Sequence, residues 1–339
     1  MSIKKGLLVS LGLVILCLVA GIVFLLQPSG QMSDFQKWQY QASEKSVSTS
    51  KLKVKFFGVS TLLFDDSKTQ ILIDGFFSRP SLSQVLFQKI QSQPEMIQRM
   101  IQQQHLQRTR AILVTHSHYD HALDIAELGK QLPNTKIIGS NSTLNIARGG
   151  AIPEQQLIQV QPLQPFTFGE FKVTAIPSQH TPPTAVNNDL GEEISQPLQQ
   201  PSRFSEFKEG HSFDYLIEHQ GHTVLVKAST GAIPDQLKNL NVNTLFLGIA
   251  QLSRQSTEFQ QDYLDQTLKT LKPKVVVPIH WDDFFKPVDQ PLEFLPYLAD
   301  NTDKSLKILI QAAEQQKTQV VLLSQPVSYP LDPALQSQP

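Results

Sequence analysis

Ala111-Ile112-Leu113-Val114-Thr115-His116-Ser117-His118-Tyr119-Asp120-His121 sets an apolar run directly against three imidazoles and a carboxylate. The aliphatic residues read as a short buried strand. The polar run begins where that strand would end, and loops at strand ends are where a scaffold collects its working side chains. In a turn at that position alternate side chains converge; in a helix His118 and His121 share a face. Imidazole nitrogen and carboxylate oxygen are both zinc donors, and a catalytic zinc site keeps a position open for water. The rival reading, an accidental surface cluster, is weakened by the apolar strand that precedes it.

Two more strand ends repeat the pattern. Phe171 to Ile176 reads as a strand and leads to Pro177-Ser178-Gln179-His180-Thr181. Lys274 to Ile279 reads as another and leads to His280-Trp281-Asp282-Asp283. A lone His at either place is more often structural. Three strand ends each presenting His predict one shared metal centre. His105 lies in a Gln-rich helical stretch, and His219 and His222 flank a hairpin turn where a solvated imidazole is ordinary. His211 precedes a strand and is within reach of the centre.

Around these ends the chain alternates strands and helices. Strands are expected over 51–56, 60–64, 70–73, 136–138, 212–218, 222–227, 244–247 and 319–323. Helices are expected over 81–106 with a break at Pro94, and over 121–132, 142–148, 233–240, 258–271 and 302–316. Two β-rich stretches followed by helices, near 50–135 and 170–272, suggest a loose duplication. That layout suits sheets packed together with helices on their outer faces. Residues 182–210 are rich in Pro, Gln, Glu and Asn, with Phe204 and Phe207 among them. So long a connection is read as a flap beside the site.

Bulk composition narrows the function. Lys and Arg number 29 and Asp and Glu 30, a net charge of -1, with no basic cluster. No nucleic-acid partner is expected. Cys17 is the one cysteine, so neither a disulfide framework nor a thiol nucleophile is available to the folded part. Leu7 to Leu26 carries no charge and follows Lys4 and Lys5. As a helix it would cross about 30 Å of hydrocarbon, with the basic flank on the cytoplasmic side. The expectation is therefore an N-terminal transmembrane anchor (signal anchor) over 1–26, a tether over 27–50, one domain over 50–327 and a tail over 328–339. The lipid bilayer would be a partner through that helix, and the domain would lie outside the cytoplasm. A cleaved signal peptide releasing a secreted domain is the alternative. Oligomeric state is not legible.

Thr115-His116-Ser117-His118-Tyr119-Asp120-His121, with His180 and His280 downstream, resembles the metallo-β-lactamase superfamily over essentially all of 50–327. The Pro278-Ile279-His280-Trp281 ending and the Asp74-Gly75 strand end look like its lactonase-like and N-acylphosphatidylethanolamine phospholipase D-like branches. The resemblance implies an α+β fold, a four-layer αβ/βα sandwich with metals at the edge of two sheets. It implies that His116, His118 and His180 hold one Zn2+ and that Asp120, His121 and His280 hold a second. Asp74 would orient a ligand His from behind. Many members carry Asp at the end of a late strand, bridging the metals. Here the stretch is Val226-Lys227-Ala228-Ser229-Thr230-Gly231, and Ser229 takes that place. A hydroxyl binds zinc less well than a carboxylate, so one or two ions are expected, the second weaker. Lys227 either points inward, toward a metal or an anion, or is ordinary surface.

The implied activity is a metal-dependent hydrolase. Zinc makes hydroxide available near neutral pH for attack on a carbonyl or phosphoryl centre. Asp120, His118 and His280 are expected to carry that chemistry, Asp120 as ligand and orienter. Tyr119 is expected to pack, and no serine nucleophile is proposed. The anchor beside an apolar-tipped flap favours a phosphodiester or ester-like lipid such as a membrane phospholipid. A small-molecule lactone or β-lactam is the alternative substrate, and a non-catalytic membrane-tethered metal-binding protein the alternative role.

Overall fold

Period-two alternation builds the first sheet. The computed structural model describes residues 3–42, 50–184 and 188–331, with the backbone alone for 3–9. β1 (Lys53–Phe56) alternates half-buried Lys with buried Val54 and Phe56. It pairs antiparallel with β2 (Leu62–Asp65), which pairs antiparallel with β3 (Gln70–Ile73). At the intervening turn Asp66 accepts from the backbone N–H groups of Lys68 and Thr69. β4 (Thr109–Leu113), β5 (Lys136–Gly139) and β6 (Leu157–Gln159) then add in parallel.

The second sheet repeats the scheme. β7 (Pro165–Phe168), β8 (Phe171–Ser178), β9 (Ser212–His219) and β10 (His222–Lys227) form an antiparallel meander. β11 (Thr244–Gly248), β12 (Val275–Ile279) and β13 (Gln319–Val320) continue it in parallel. β14 (Tyr329–Pro330) returns to the free edge of β1. Among the described residues there are two seven-stranded sheets, ordered β14-β1-β2-β3-β4-β5-β6 and β13-β12-β11-β10-β9-β8-β7. In chain order each sheet passes from antiparallel to parallel pairing, the pattern of the loose duplication expected from the sequence.

Strand period separates the layers. Ile71, Ile73, Ala111, Leu113 and Ile138 face the other sheet and share a core with Val173, Tyr215, Val224 and Phe246. The alternate residues Leu72, Ile112 and Ile137 face away and pack with Ile97, Ile101, Ile125 and Leu144 from helices. Strands covered on both faces read as continuous apolar runs, as Ala111 to Val114 does. In chain order the helices are α1 (Ile3–Leu25), α2 (Leu82–Phe87), α3 (Pro94–Gln104), α4 (Tyr119–Ala122), α5 (Ile125–Gln131) and α6 (Asn141–Gly149), then α7 (Thr257–Leu264) and α8 (Thr302–Gln315). A π turn, Asp265–Lys269, prolongs α7. Leu264, Leu268, Leu306 and Leu309 cover the outer face of the second sheet. The result is the αβ/βα sandwich.

Local signals place the helix ends. Pro94 opens α3 at its first turn, where a missing N–H costs nothing, and left-handed His105 ends it. Ser140, Ser256 and Asn301 cap α6, α7 and α8 by accepting backbone N–H groups.

Several expectations are corrected. Residues 233–240 form turns rather than a helix; Asp235 and Asn239 are left-handed there, at φ 61° and 70°. His219 and His222 are buried, not solvated, bonded to Asp66 at 3.1 Å and Thr244 at 3.2 Å. Phe207 is buried in the core and Phe204 packs on Tyr119, so 188–210 presents no apolar tip. The membrane expectation is also overturned, because among the described residues no helix is long and apolar enough to cross a membrane. The transmembrane or signal anchor, the bilayer as its partner and the placement outside the cytoplasm that rested on it are withdrawn.

Segments on either side of the domain have their own contacts. Phe35, in a short 3₁₀ helix over Met32–Trp38, is buried against Phe294. The rest of the expected tether and tail, 43–49 and 332–339, lies outside the described residues.

Candidate metal centre

Four strand ends meet at one edge of the sandwich. After β4 the backbone stays extended through His118, which sits at φ -61° and ψ 154°. It then coils into α4, where the carbonyl of His118 accepts from the N–H groups of His121 and Ala122. His116 and His118 therefore project from extended chain, while Asp120 and His121 project from a helical turn. β8 delivers His180, and β12 delivers His280. Asp74 stands at the end of β3.

The side chains gather into two groups. Ligand atoms of His116, His118 and His180 lie within 4.8 Å of one another, as do those of Asp120, His121 and His280. The groups adjoin: the rings of His116 and His121 are 3.8 Å apart by centroid. Five of the six residues are buried, and the side chain of His280 is 12 % exposed.

Hydrogen bonds fix which imidazole nitrogen faces inward. His121 Nδ1 lies 2.9 Å from Asp74 Oδ2, so it donates to that carboxylate and leaves Nε2 for the cluster. Asp74 is held by the N–H of Thr115 at 2.7 Å and by the hydroxyls of Thr115 and Ser60. His180 Nδ1 donates to the carbonyl of Thr181 at 2.9 Å. His118 Nε2 donates to Asp189 Oδ1 at 3.1 Å, which leaves Nδ1. Such partners set tautomer and ring orientation at metal sites.

The cluster fits a cation. Nε2 of His116 and Nε2 of His121 are buried without a hydrogen-bond partner. An orphaned buried acceptor is costly, and two aimed at neighbouring positions suit a metal ion. Burial, with the neighbouring His121, His180 and His118, pushes His116 well below the ordinary imidazole range. Burial and His118 push His180 down to about 3. Both stay neutral, as a ligand must. Burial alone would raise Asp120, but His121 and His280 outweigh it and hold the group as a carboxylate. A divalent metal centre in a hydrolase fold follows from this arrangement.

The remaining candidates have other partners. Lys227 points inward, to Ser178 Oγ at 2.8 Å and Asp214 Oδ2 at 3.2 Å, and is buried. Ser117 shares hydroxyl contacts with Ser140 and Thr143. Tyr119 packs between Phe76 and Phe204. His211 pairs with Glu193 at 2.8 Å. His105 is exposed. Sequence reading missed Asp189, Ser60 and the buried pair Arg79–Asp282; no spacing marks them.

A cleft of about 840 Å³ opens beside His180. Val160, Pro162, Leu190 and Phe213 supply apolar wall, and Glu193 and Glu209 supply charge.

Comparison with known proteins agrees with the geometry. The family model described as "Beta-lactamase superfamily domain" matches residues 69–281. A UPF0173 metal-dependent hydrolase of Staphylococcus aureus (strain Newman) is 20 % identical over 246 residues, covering 72 % of this chain and 91 % of that protein. The metallo-β-lactamase fold protein YhfI from Bacillus subtilis superposes with a TM-score of 0.51 at 16 % identity, over 82 % of this chain and 98 % of that one. CmlA, a diiron β-hydroxylase from Streptomyces venezuelae, does so at 0.54 and 13 %, over 83 % of this chain and 54 % of that one.

Proposed function

The chain belongs to the beta-lactamase superfamily domain family, and we propose that its metal centre hydrolyses small neutral carbonyl compounds, lactones and simple esters foremost. The observation that carries this is the cleft beside His180. Beside the imidazoles of His180 and His211, its titratable lining is Glu193 and Glu209, with no Lys or Arg among the described residues. The inward-pointing Lys227 is engaged by Asp214. Lys208 is paired with Glu192 at 2.7 Å. An anionic phosphodiester would enter past carboxylates with no Lys or Arg on the cleft wall to receive it, and like charges in a cleft repel. The lactonase-like side of the resemblance fits better than the phospholipase side, whose motivation was the anchor and the flap.

We assign one zinc ion to His116, His118 and His180 and a weaker second to Asp120, His121 and His280. Five imidazoles and one carboxylate are donors that suit zinc. When bound, such an ion lowers the pKa of water and stabilises negative charge developing on a substrate oxygen. The chain's own part is positional. Asp120, kept ionised, serves as ligand and orienter of the nucleophile. Asp74 and Asp189 hold the His121 and His118 rings in their tautomers. Ser229, where relatives of the pattern carry Asp, supplies no charge between the groups.

The test is turnover by the zinc-loaded chain on neutral lactones and aryl esters, against carboxylate-bearing β-lactams, a bis-aryl phosphodiester and phospholipid vesicles. Chelator-sensitive hydrolysis of the neutral carbonyl compounds above the others is expected. Faster phosphodiester cleavage, or turnover unaffected by chelator, would refute the reading.

A further inference from the structure

The β1–β2 turn, Phe57-Gly58-Val59-Ser60-Thr61, touches one of the two ligand groups from two directions. The carbonyl of Val59 accepts the backbone N–H of His280 at 2.6 Å. The hydroxyl of Ser60 contacts Asp74 and lies 2.9 Å from Nδ1 of His121. Val59 is a β-branched residue at φ 50°, and His280 itself is at φ 59°. Non-glycine residues in the left-handed region are disfavoured, β-branched ones most. Backbone held there persists only when its surroundings over-determine it.

A buried ion pair supplies that determination. Arg79 Nη2 and Asp282 Oδ2 approach to 3.0 Å, and both side chains are buried. Asp282 Oδ1 accepts the N–H of Val59 at 2.6 Å, and Arg79 Nη2 donates to the carbonyl of Phe57 at 2.5 Å. The two side chains thus grip the turn on both sides of Gly58. A Cβ at Gly58, which is at φ 92°, would strike both of them. Buried ion pairs add little net stability. This one instead fixes a strained turn whose outward groups reach His280 and His121.

We infer that Asp282, paired with Arg79, is a positioning residue for the Asp120–His121–His280 group, and that it acts through its hydrogen bond from Val59 rather than through the stability of the ion pair. The inference rests on the metal reading above. Among the described residues no comparable contact from the turn reaches His118 or His180.

Cobalt(II) titration of the full chain, followed by absorption and by bound-metal stoichiometry, tests it. Two double variants both delete the ion pair. Arg79→Met/Asp282→Asn keeps an oxygen to accept from Val59, and Arg79→Met/Asp282→Leu does not. The Asn variant should bind both ions within about threefold of wild type. The Leu variant should keep the first ion and bind the second on the order of 10- to 100-fold more weakly, the usual effect of losing an outer partner. Ser60→Ala, which leaves the pair intact and is the safer fold, should weaken the same ion. Equal loss in both double variants, loss of both ions in step with thermal stability, or an unchanged second ion in both Ser60→Ala and the Leu variant would overturn the inference. A wild-type chain that binds one cobalt or none overturns the two-ion reading beneath it, and the inference with it.

Discussion

Asp189 reaches His118 across 71 positions of sequence, its carboxylate oxygens 3.1 and 3.3 Å from Nε2. The contact ties the His-rich motif to a loop that is itself pinned down. Gly210 N–H donates to the carbonyl of Glu192, and Ser117 N–H to that of Glu209. Burial raises the Asp189 carboxyl, but the hydrogen bond from His118 prevails and holds it below its usual range. Asp189→Ala should free the His118 ring and cost on the order of 10- to 100-fold in affinity for the more tightly held metal. Asp189→Asn, still an acceptor, should cost less. Competition against a graded chelator series measures both, and equal affinity in wild type and Asp189→Ala would show the contact to be incidental.

Ser229 offers the converse experiment. It is buried, five positions ahead of Pro234 and just beyond β10, in the stretch where the family pattern carries a bridging Asp. Ser229→Asp adds a carboxylate where the family pattern carries one. Oxygen donors strengthen a zinc site, so the second ion should bind at least tenfold more tightly, read as stoichiometry after dialysis. Failure to recover a second equivalent would mean that the Ser229 side chain does not face the cluster.

The site was legible where chemistry is local. Four of the six cluster residues fall between His116 and His121, and strand period locates the ends that carry His180 and His280. What escaped depends on contacts between distant segments. Asp282 meets Val59 across 223 positions, and nothing around either residue announces it. Spacing also misled. Ile233, Leu237 and Leu240 imitate a helical face, yet left-handed Asp235 and Asn239 break the chain into turns. Phe204 and Phe207 sat in a polar stretch that read as an exposed flap, and they turned out to be its anchors. β6 and β7 are short, and β7 is an edge strand opened by Pro165, too brief for a periodic signal.

Metal removal should lower stability, because the orphaned nitrogens of His116 and His121 lose their partner. A ligand bound by the folded state alone stabilises it by about 2.7 kcal/mol at a hundredfold excess over Kd. Thermal melts of metal-free and zinc-titrated chain should therefore separate, with Tm rising as zinc is added. Asp120→Asn/His121→Asn should shrink that shift, and coincident melts for wild type with and without zinc would contradict a metal-linked fold.

Lys227 and Asp214 make a second buried ion pair, on β10 and β9 beneath Ser178. Lys227→Met leaves Asp214 without its cation, and an uncompensated buried charge costs about 3–5 kcal/mol. The pH dependence follows in sign. Burial already holds the Asp214 carboxyl above its usual value, with Lys227 opposing. Without Lys227 the folded-state pKa rises further above the unfolded one. Below the unfolded value, about 3.9, Asp214 is protonated in both states and the variant carries little charge penalty. As pH rises through the folded pKa, the unfolded state releases the proton more readily and the deficit grows. Urea unfolding of wild type and Lys227→Met should therefore diverge from acid toward neutral pH, and Lys227→Met/Asp214→Asn should remove most of the divergence. A deficit independent of pH would assign the loss to packing of the Lys227 stem instead.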